Sequence, residues 1–113
     1  MADTVVTTEK NGTIQIAYTG AGADWVMTDE LTAYANSGIW MKSIQFHPST
    51  ANDVLVVNEG GIDGPSIMHV KCSGDTDDRI KYFEPPKRSF PAIDLSDCTF
   101  GTAASVKITI ELA

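Results

Sequence analysis

Along Ser105–Leu112, SVKITIEL, polar and apolar residues alternate without exception. Successive strand side chains point to opposite faces, so Val106, Ile108, Ile110 and Leu112 share one face and Ser105, Lys107, Thr109 and Glu111 the other. The pattern predicts a strand with one face in a core and the other toward solvent or a neighbouring subunit. In TTEKNGTIQIAY, Asn11-Gly12 predicts a type I′ hairpin turn, which needs positive φ at both central residues. Pairing Lys10 with Thr13 sets Thr7 opposite Ile16 and Val5 opposite Tyr18. The second arm is amphipathic through Ile14, Ile16 and Tyr18. The first is half polar, which suits an edge strand or an arm that orders against a partner.

Further along, WVMT reads as a short strand. TDELTAYANSG has Thr28 placed to cap and Gly38 placed to stop, but it holds no more than two helical turns and is expected to be a loop with a helical turn. In GIWMKSIQF, Trp40, Ile44 and Phe46 share a strand face with Lys42 as the odd member. DVLVV is apolar on both sides, as a strand inside a packed sheet should be. SIMHVKC puts Met68, Val70 and Cys72 on one face and Ile67, His69 and Lys71 on the other. IKYFE is a strand expected to halt at Pro85-Pro86, because proline donates no ladder hydrogen bond. A further strand is expected around Ala92 to Leu95. Seven or eight strands, separated by turn signals every roughly 8 to 12 residues, predict an all-β antiparallel sandwich or jelly roll. The 113 residues form one domain, with residues 1–8 as a mobile N-terminal arm.

Charge narrows the partners. Fifteen acidic against eight basic residues give a net charge of −7, which disfavours non-specific attraction to nucleic acid. The one basic cluster, Lys87 and Arg88 in PPKRSF, reads as a solvated loop tip; single-strand binding would need more positive charge and a stacking platform. The N-terminal residues do not read as a secretory leader, and the longest apolar run, VLVV, is too short to span a membrane. These features predict a protein made in the cytosol. Cys72 and Cys98 read as small buried hydrophobes or as a bond between neighbouring strands.

Candidate chemistry is sparse. Asp75, Asp77 and Asp78 in GDTDDR superficially suit calcium, but Ile80 stands where a helix-loop-helix site requires glycine, and no carboxylate closes the ring. His47 and His69 lack companions at zinc-ligand spacing. Ser66 and His69, three apart on a strand, are expected on opposite faces, so no nucleophile–base pair is set up locally. No catalytic residue, metal or cofactor is assigned. Trp25, Trp40, Tyr34 and Phe46 serve either as core residues or as a platform for sugar rings.

The order of parts in IWMKSIQFHPSTANDVLVVNEGGIDGPSIMHVKC, followed by FPAIDLSDCTFGTAASVKITIEL, resembles small virion structural proteins of tailed bacteriophages. The likeness spans residues 39–112 and rests on turn and strand residues; the N-terminal segment does not match. It implies a non-enzymatic all-β module that decorates or cements a capsid, binding the major capsid protein and copies of itself as a homo-oligomer on the virion. On that expectation the partner-binding residues are Val5, Val6 and Thr7 of the half-polar arm, and Lys87 and Arg88 of the basic loop. The alternatives are a carbohydrate-binding module or a neck or tail accessory module.

Overall fold

The computed structural model describes residues 5–18, 24–102 and 105–113. They form an all-β sandwich of two antiparallel sheets. The strands of the first sheet are β1 (Val5–Lys10), β2 (Thr13–Tyr18), β4 (Ile39–His47), β7 (Arg79–Ser89) and β9 (Lys107–Leu112), in the spatial order β1-β2-β9-β4-β7. Those of the second are β3 (Trp25–Val26), β5 (Val54–Glu59), β6 (Ser66–Lys71) and β8 (Pro91–Ile93), in the order β3-β8-β5-β6. Among the described residues, seven strands have six residues or more; β3 and β8 are short additions.

The hairpin has the predicted register, with Lys10 opposite Thr13, Thr7 opposite Ile16 and Val5 opposite Tyr18. Asn11 and Gly12 have φ of 54° and 79°, as the turn requires. The alternating segment becomes β9, in the centre of the five-stranded sheet. Ile108 and Ile110 lie between Ile16 and Ile14 of β2 on one side and Phe46 and Ile44 of β4 on the other. All six are buried, and they meet Leu55 and Val57 of β5, Met68 of β6, Trp25 and Ile93 from the facing sheet. Phe100 closes the core, its ring centroid 5.6 Å from that of Tyr18 and 5.8 Å from that of Phe46. Each such fully buried side chain contributes ~1.5–3 kcal/mol.

Two expectations about strands need correcting. The predicted face of Trp40, Ile44 and Phe46 is broken by a bulge: between Met41 and Ser43, β4 advances two residues while β9 advances one, leaving Lys42 extra. Ile39 and Met41 point inward before the bulge, Ile44 and Phe46 after it, and Trp40 is turned to solvent. Nor does Pro85-Pro86 halt its strand. β7 runs past both prolines because it is an edge strand, where a missing N–H donor is tolerated, and Phe83–Pro86 loop out opposite the bulge before Lys87 pairs again with Met41. The helical turn is α1 (Met27–Glu30), followed by a 3₁₀ turn at Thr32–Tyr34. It starts after Val26 with no side-chain cap, so Thr28 does not cap it.

A buried carboxylate ties the loop after β4 to the segment leading into β9. Asp53 is 1% exposed. One oxygen accepts from Ser49 N at 2.7 Å, Ser49 Oγ at 2.6 Å and Thr50 N at 3.3 Å; the other accepts from Thr50 Oγ1 and Gly101 N, both at 2.9 Å. Burial pushes this carboxyl up, but the hydrogen bonds from Ser49, Gly101 and Thr50 outweigh it and hold the group below its usual range. Residue 101 must be small, since a Cβ there would stand 2.1 Å from Thr50 Oγ1.

Candidate docking surface

Among the described residues the large apolar side chains left exposed are Trp40, Ile80 and Tyr82, at 55%, 45% and 62%. All three lie on β4 and β7. Ile80 pairs with Gln45 and Tyr82 with Ser43, on the face opposite buried Ile44 and Phe46. Trp40, between buried Ile39 and Met41, projects from the same outer face opposite Arg88.

The same two strands concentrate the positive charge, though on both faces: Arg88 pairs with outward Trp40, whereas Arg79, Lys81 and Lys87 pair with core-facing Phe46, Ile44 and Met41. Lys42, Arg79, Lys81, Lys87 and Arg88 are five of the chain's eight basic residues, and Glu84 is the only acid on either strand, giving the pair a net charge of +4. The other residues hold three basic and fourteen acidic side chains, net −11, which together with the +4 makes the overall −7. Several of the cations are anchored. Lys42 lies 3.3 Å from Glu111 and Lys87 3.6 Å from Glu59. Arg88 Nε donates to Ser37 O at 2.6 Å, with its guanidinium 5.4 Å from the Phe90 ring centroid. Arg79 grips Asp77 with two hydrogen bonds, of 3.0 and 2.8 Å, and this grip, with the Ser73 backbone N–H, holds the Asp77 carboxyl well below the usual range.

Sequence reasoning named Lys87 and Arg88 here, gave Trp40 either to the core or to a sugar platform, and missed Ile80 and Tyr82. The signal was present in two irregularities, a lysine on an apolar strand face and a proline pair within a strand pattern. Both mark the bulge that turns Trp40 outward. Val5, Val6 and Thr7 lie in β1, at the opposite edge of the sheet. Four strand spacings of about 4.8 Å put the two clusters ~19 Å apart, so they are not one site. Thr7 Oγ1 accepts from Trp25 Nε1 at 2.8 Å and donates to Glu30 Oε1 at 3.3 Å, while Tyr34 donates to Glu9. This explains the half-polar arm: alternate polar residues of β1 bond to the second layer instead of packing apolar surface. Residues 1–4 of the expected mobile arm lie outside the described residues; residues 5–8 are paired with β2.

The other candidates disperse. Trp25 and Phe46 are fully buried and Tyr34 half-buried, so the four aromatics do not share a platform. In the acidic turn Asp77 is engaged by Ser73 and Arg79, and Asp78 Oδ1 lies 2.7 Å from His47 Nδ1. Among the described residues no three His, Cys, Asp or Glu side chains are grouped to hold a metal. Ser66 and His69 do not point to opposite faces, as alternation predicted. A register shift pairs Asn58 with Ser66 and Val57 with Met68, which brings Ser66 and His69 to one open groove of about 530 Å³ beside Asp63, Asp94 and Asp97. There the Ser66 hydroxyl donates to Met68 O at 3.3 Å.

The cysteines are free and lie on opposite flanks of β5. Cys72 N donates to Asp53 O at 2.8 Å on one side, while on the other Cys98 Sγ accepts from Val56 N at 3.4 Å and donates to Val56 O at 3.7 Å. Two strand spacings, about 9.6 Å, exceed the roughly 7 Å limit on Cα separation for a disulfide. The Cys98 thiol thus fills a gap in the ladder where the chain after β8 bulges away from β5. Burial pushes it up to about 11, so it stays protonated at neutral pH. No protein-family model matches the chain, and neither a curated protein nor a solved structure does.

Proposed function

We propose that the protein is a non-enzymatic structural protein that docks on other proteins through the outer face of β4 and β7, and that it decorates and stabilises the head of a tailed bacteriophage. One observation carries the docking: Trp40, Ile80 and Tyr82 are exposed on the same two strands that hold five of the eight basic residues of an acidic protein. Contiguous exposed apolar surface marks interaction sites, and aromatic residues and arginine are enriched in interfaces. The capsid setting is supported by the resemblance of residues 39–112 to virion structural proteins. Its partners are then the major capsid protein and further copies of this chain; no cofactor is involved, and the protein resides on the virion after synthesis in the host cytoplasm.

The test is sedimentation of the purified protein with assembled shells of the capsid protein encoded in the same genome. Retention is expected for the wild type and a loss of at least about tenfold for Trp40→Ser with Tyr82→Ser, both folded by circular dichroism. Absence of wild-type retention on heads contradicts the decoration role; retention on isolated necks or tails would make it an accessory module of those parts. The exposed indole and phenol faces of Trp40 and Tyr82 also favour a second reading, stacking on sugar rings. Binding to a glycan array that the same double substitution abolishes would establish it.

A further inference from the structure

We infer that the occupant of the β4–β7 face is the acidic β1–α1 edge of a second copy of this chain, joined head to tail. The inference rests on the reading of β4–β7 as a docking surface and names its partner. β1 and β7 are the two edges of one five-stranded sheet, and they carry opposite charge. At the β7 edge stand Arg79, Lys81, Lys87 and Arg88, with Lys42 beside them. At the β1 edge, Glu9 is exposed, and Glu30 Oε1 reaches Thr7 of β1, which brings α1 with exposed Asp29 and Glu30 against that strand. Asp24, also exposed, precedes β3, whose Trp25 is hydrogen-bonded to the same Thr7. Lys10 is the only basic residue of β1, β3 and α1.

An acidic partner fits a basic aromatic ribbon, and the rest of this protein is itself strongly acidic. Complementary patches on opposite edges of one molecule cannot meet within it. They meet between copies, in a heterologous contact that gives rings when the rotation closes and open rows when it does not. Backbone pairing would contribute little across the middle of β7, where Pro85 and Pro86 supply no donors. The contact is therefore made by side chains along the β7 edge. Trp40, Ile80, Tyr82 and Arg88 reach the partner from the outer face, and Arg79, Lys81 and Lys87, which pair with core-facing Phe46, Ile44 and Met41, from the other side of the edge strand.

A charge swap tests this by sedimentation velocity. The wild-type protein should self-associate as concentration rises at about 10 mM salt, where exposed charges act over some 30 Å, and should dissociate toward about 1 M, where they act over roughly 3 Å. Lys81→Glu with Arg88→Glu makes the ribbon acidic, and Asp29→Lys with Glu30→Lys makes the other edge basic. Each double variant alone should lose about tenfold or more in association, and mixing the two should restore it, because each then offers the other an opposite charge. Restoration excludes misfolding as the cause of the loss. A control in which Asp63→Lys and Asp97→Lys are added to the ribbon variant itself, so that its ribbon and its β1–α1 edge are both acidic and the reversed charge lies elsewhere, should not restore the ribbon variant on mixing. A wild type that stays monomeric at low salt, a mixture that stays monomeric, or restoration by the control pair would each overturn the inference. If association fails while Trp40→Ser with Tyr82→Ser still releases the protein from shells, the docking face stands and its occupant is the shell; if neither effect is seen, both readings fall.

Discussion

β9 and β7 flank the same strand, β4, and have opposite relations to the core. β9 is regular, lies between two partners, and sends Val106, Ile108 and Ile110 of its segment into full burial. Among the described residues β7 has one partner; it loses register for four residues around its prolines and turns Ile80 and Tyr82 to solvent. A strand that held its place only by burying side chains would not expose two large apolar residues. By this contrast β9 is the strand that stabilises the sandwich, and β7, with Trp40 beside it, is the one that leaves apolar surface open to solvent.

Removing residues 105–113 should have the largest effect. Three fully buried side chains at ~1.5–3 kcal/mol each already approach the ~5–15 kcal/mol that holds a domain together. The deletion also strips β2 and β4 of a shared ladder. No cooperative thermal melt is expected; a melt close to that of the full chain would erase the contrast between the two strands.

Asp53→Asn comes next, because it loosens the polar knot on the β9 side of the sheet. The amide can no longer accept at both ends, and the Ser49 and Gly101 N–H groups lose their charged acceptor. The expected cost is about 3 kcal/mol, or roughly 10 °C in Tm. The native carboxyl is held below its unfolded value, so its contribution is present above about pH 4 and is lost as pH falls through the depressed native value. The wild type should therefore lose stability over that acid range, while Asp53→Asn should lack that component. Equal acid sensitivity of the two proteins in calorimetry would remove Asp53 from this role.

The smallest effect on stability is expected on β7. Ile80→Ser with Tyr82→Ser alters side chains that are about half exposed, and each change should fall within ~0.5 kcal/mol. A drop of several kcal/mol in chemical denaturation would mean that these residues pack, and β7 would then resemble β9.

Regular segments of the fold were legible because one local rule decides them. The Asn11-Gly12 turn set the register of β1 on β2, and strict alternation located β9. What the sequence left hidden came from register shifts. A single extra residue at Lys42 reverses Trp40, and the shift at Ile67 moves Ser66 to the side of His69; alternation cannot place such an insertion without knowing the partner strand. The candidate site was only half legible for the same reason. Its cations, Lys87 and Arg88, stood out as a cluster, whereas Trp40 shared its spacing with core-facing Ile44 and Phe46 and nothing in the pattern set Ile80 and Tyr82 apart. The polar character of β1 was legible, and its cause, bonds from Trp25 to Thr7 and from Tyr34 to Glu9, depended on the second layer.

Amide hydrogen exchange on the free protein and on the shell-bound assembly tests the central claim most directly. In the free protein, residues 105–113 should exchange only through global unfolding, and residues 79–82 through local opening of the edge. On assembly, protection should rise in residues 79–89 and 39–43 and stay unchanged in 105–113. Protection gained at β6 or over the groove beside Ser66 and His69, with β7 unchanged, would contradict the account.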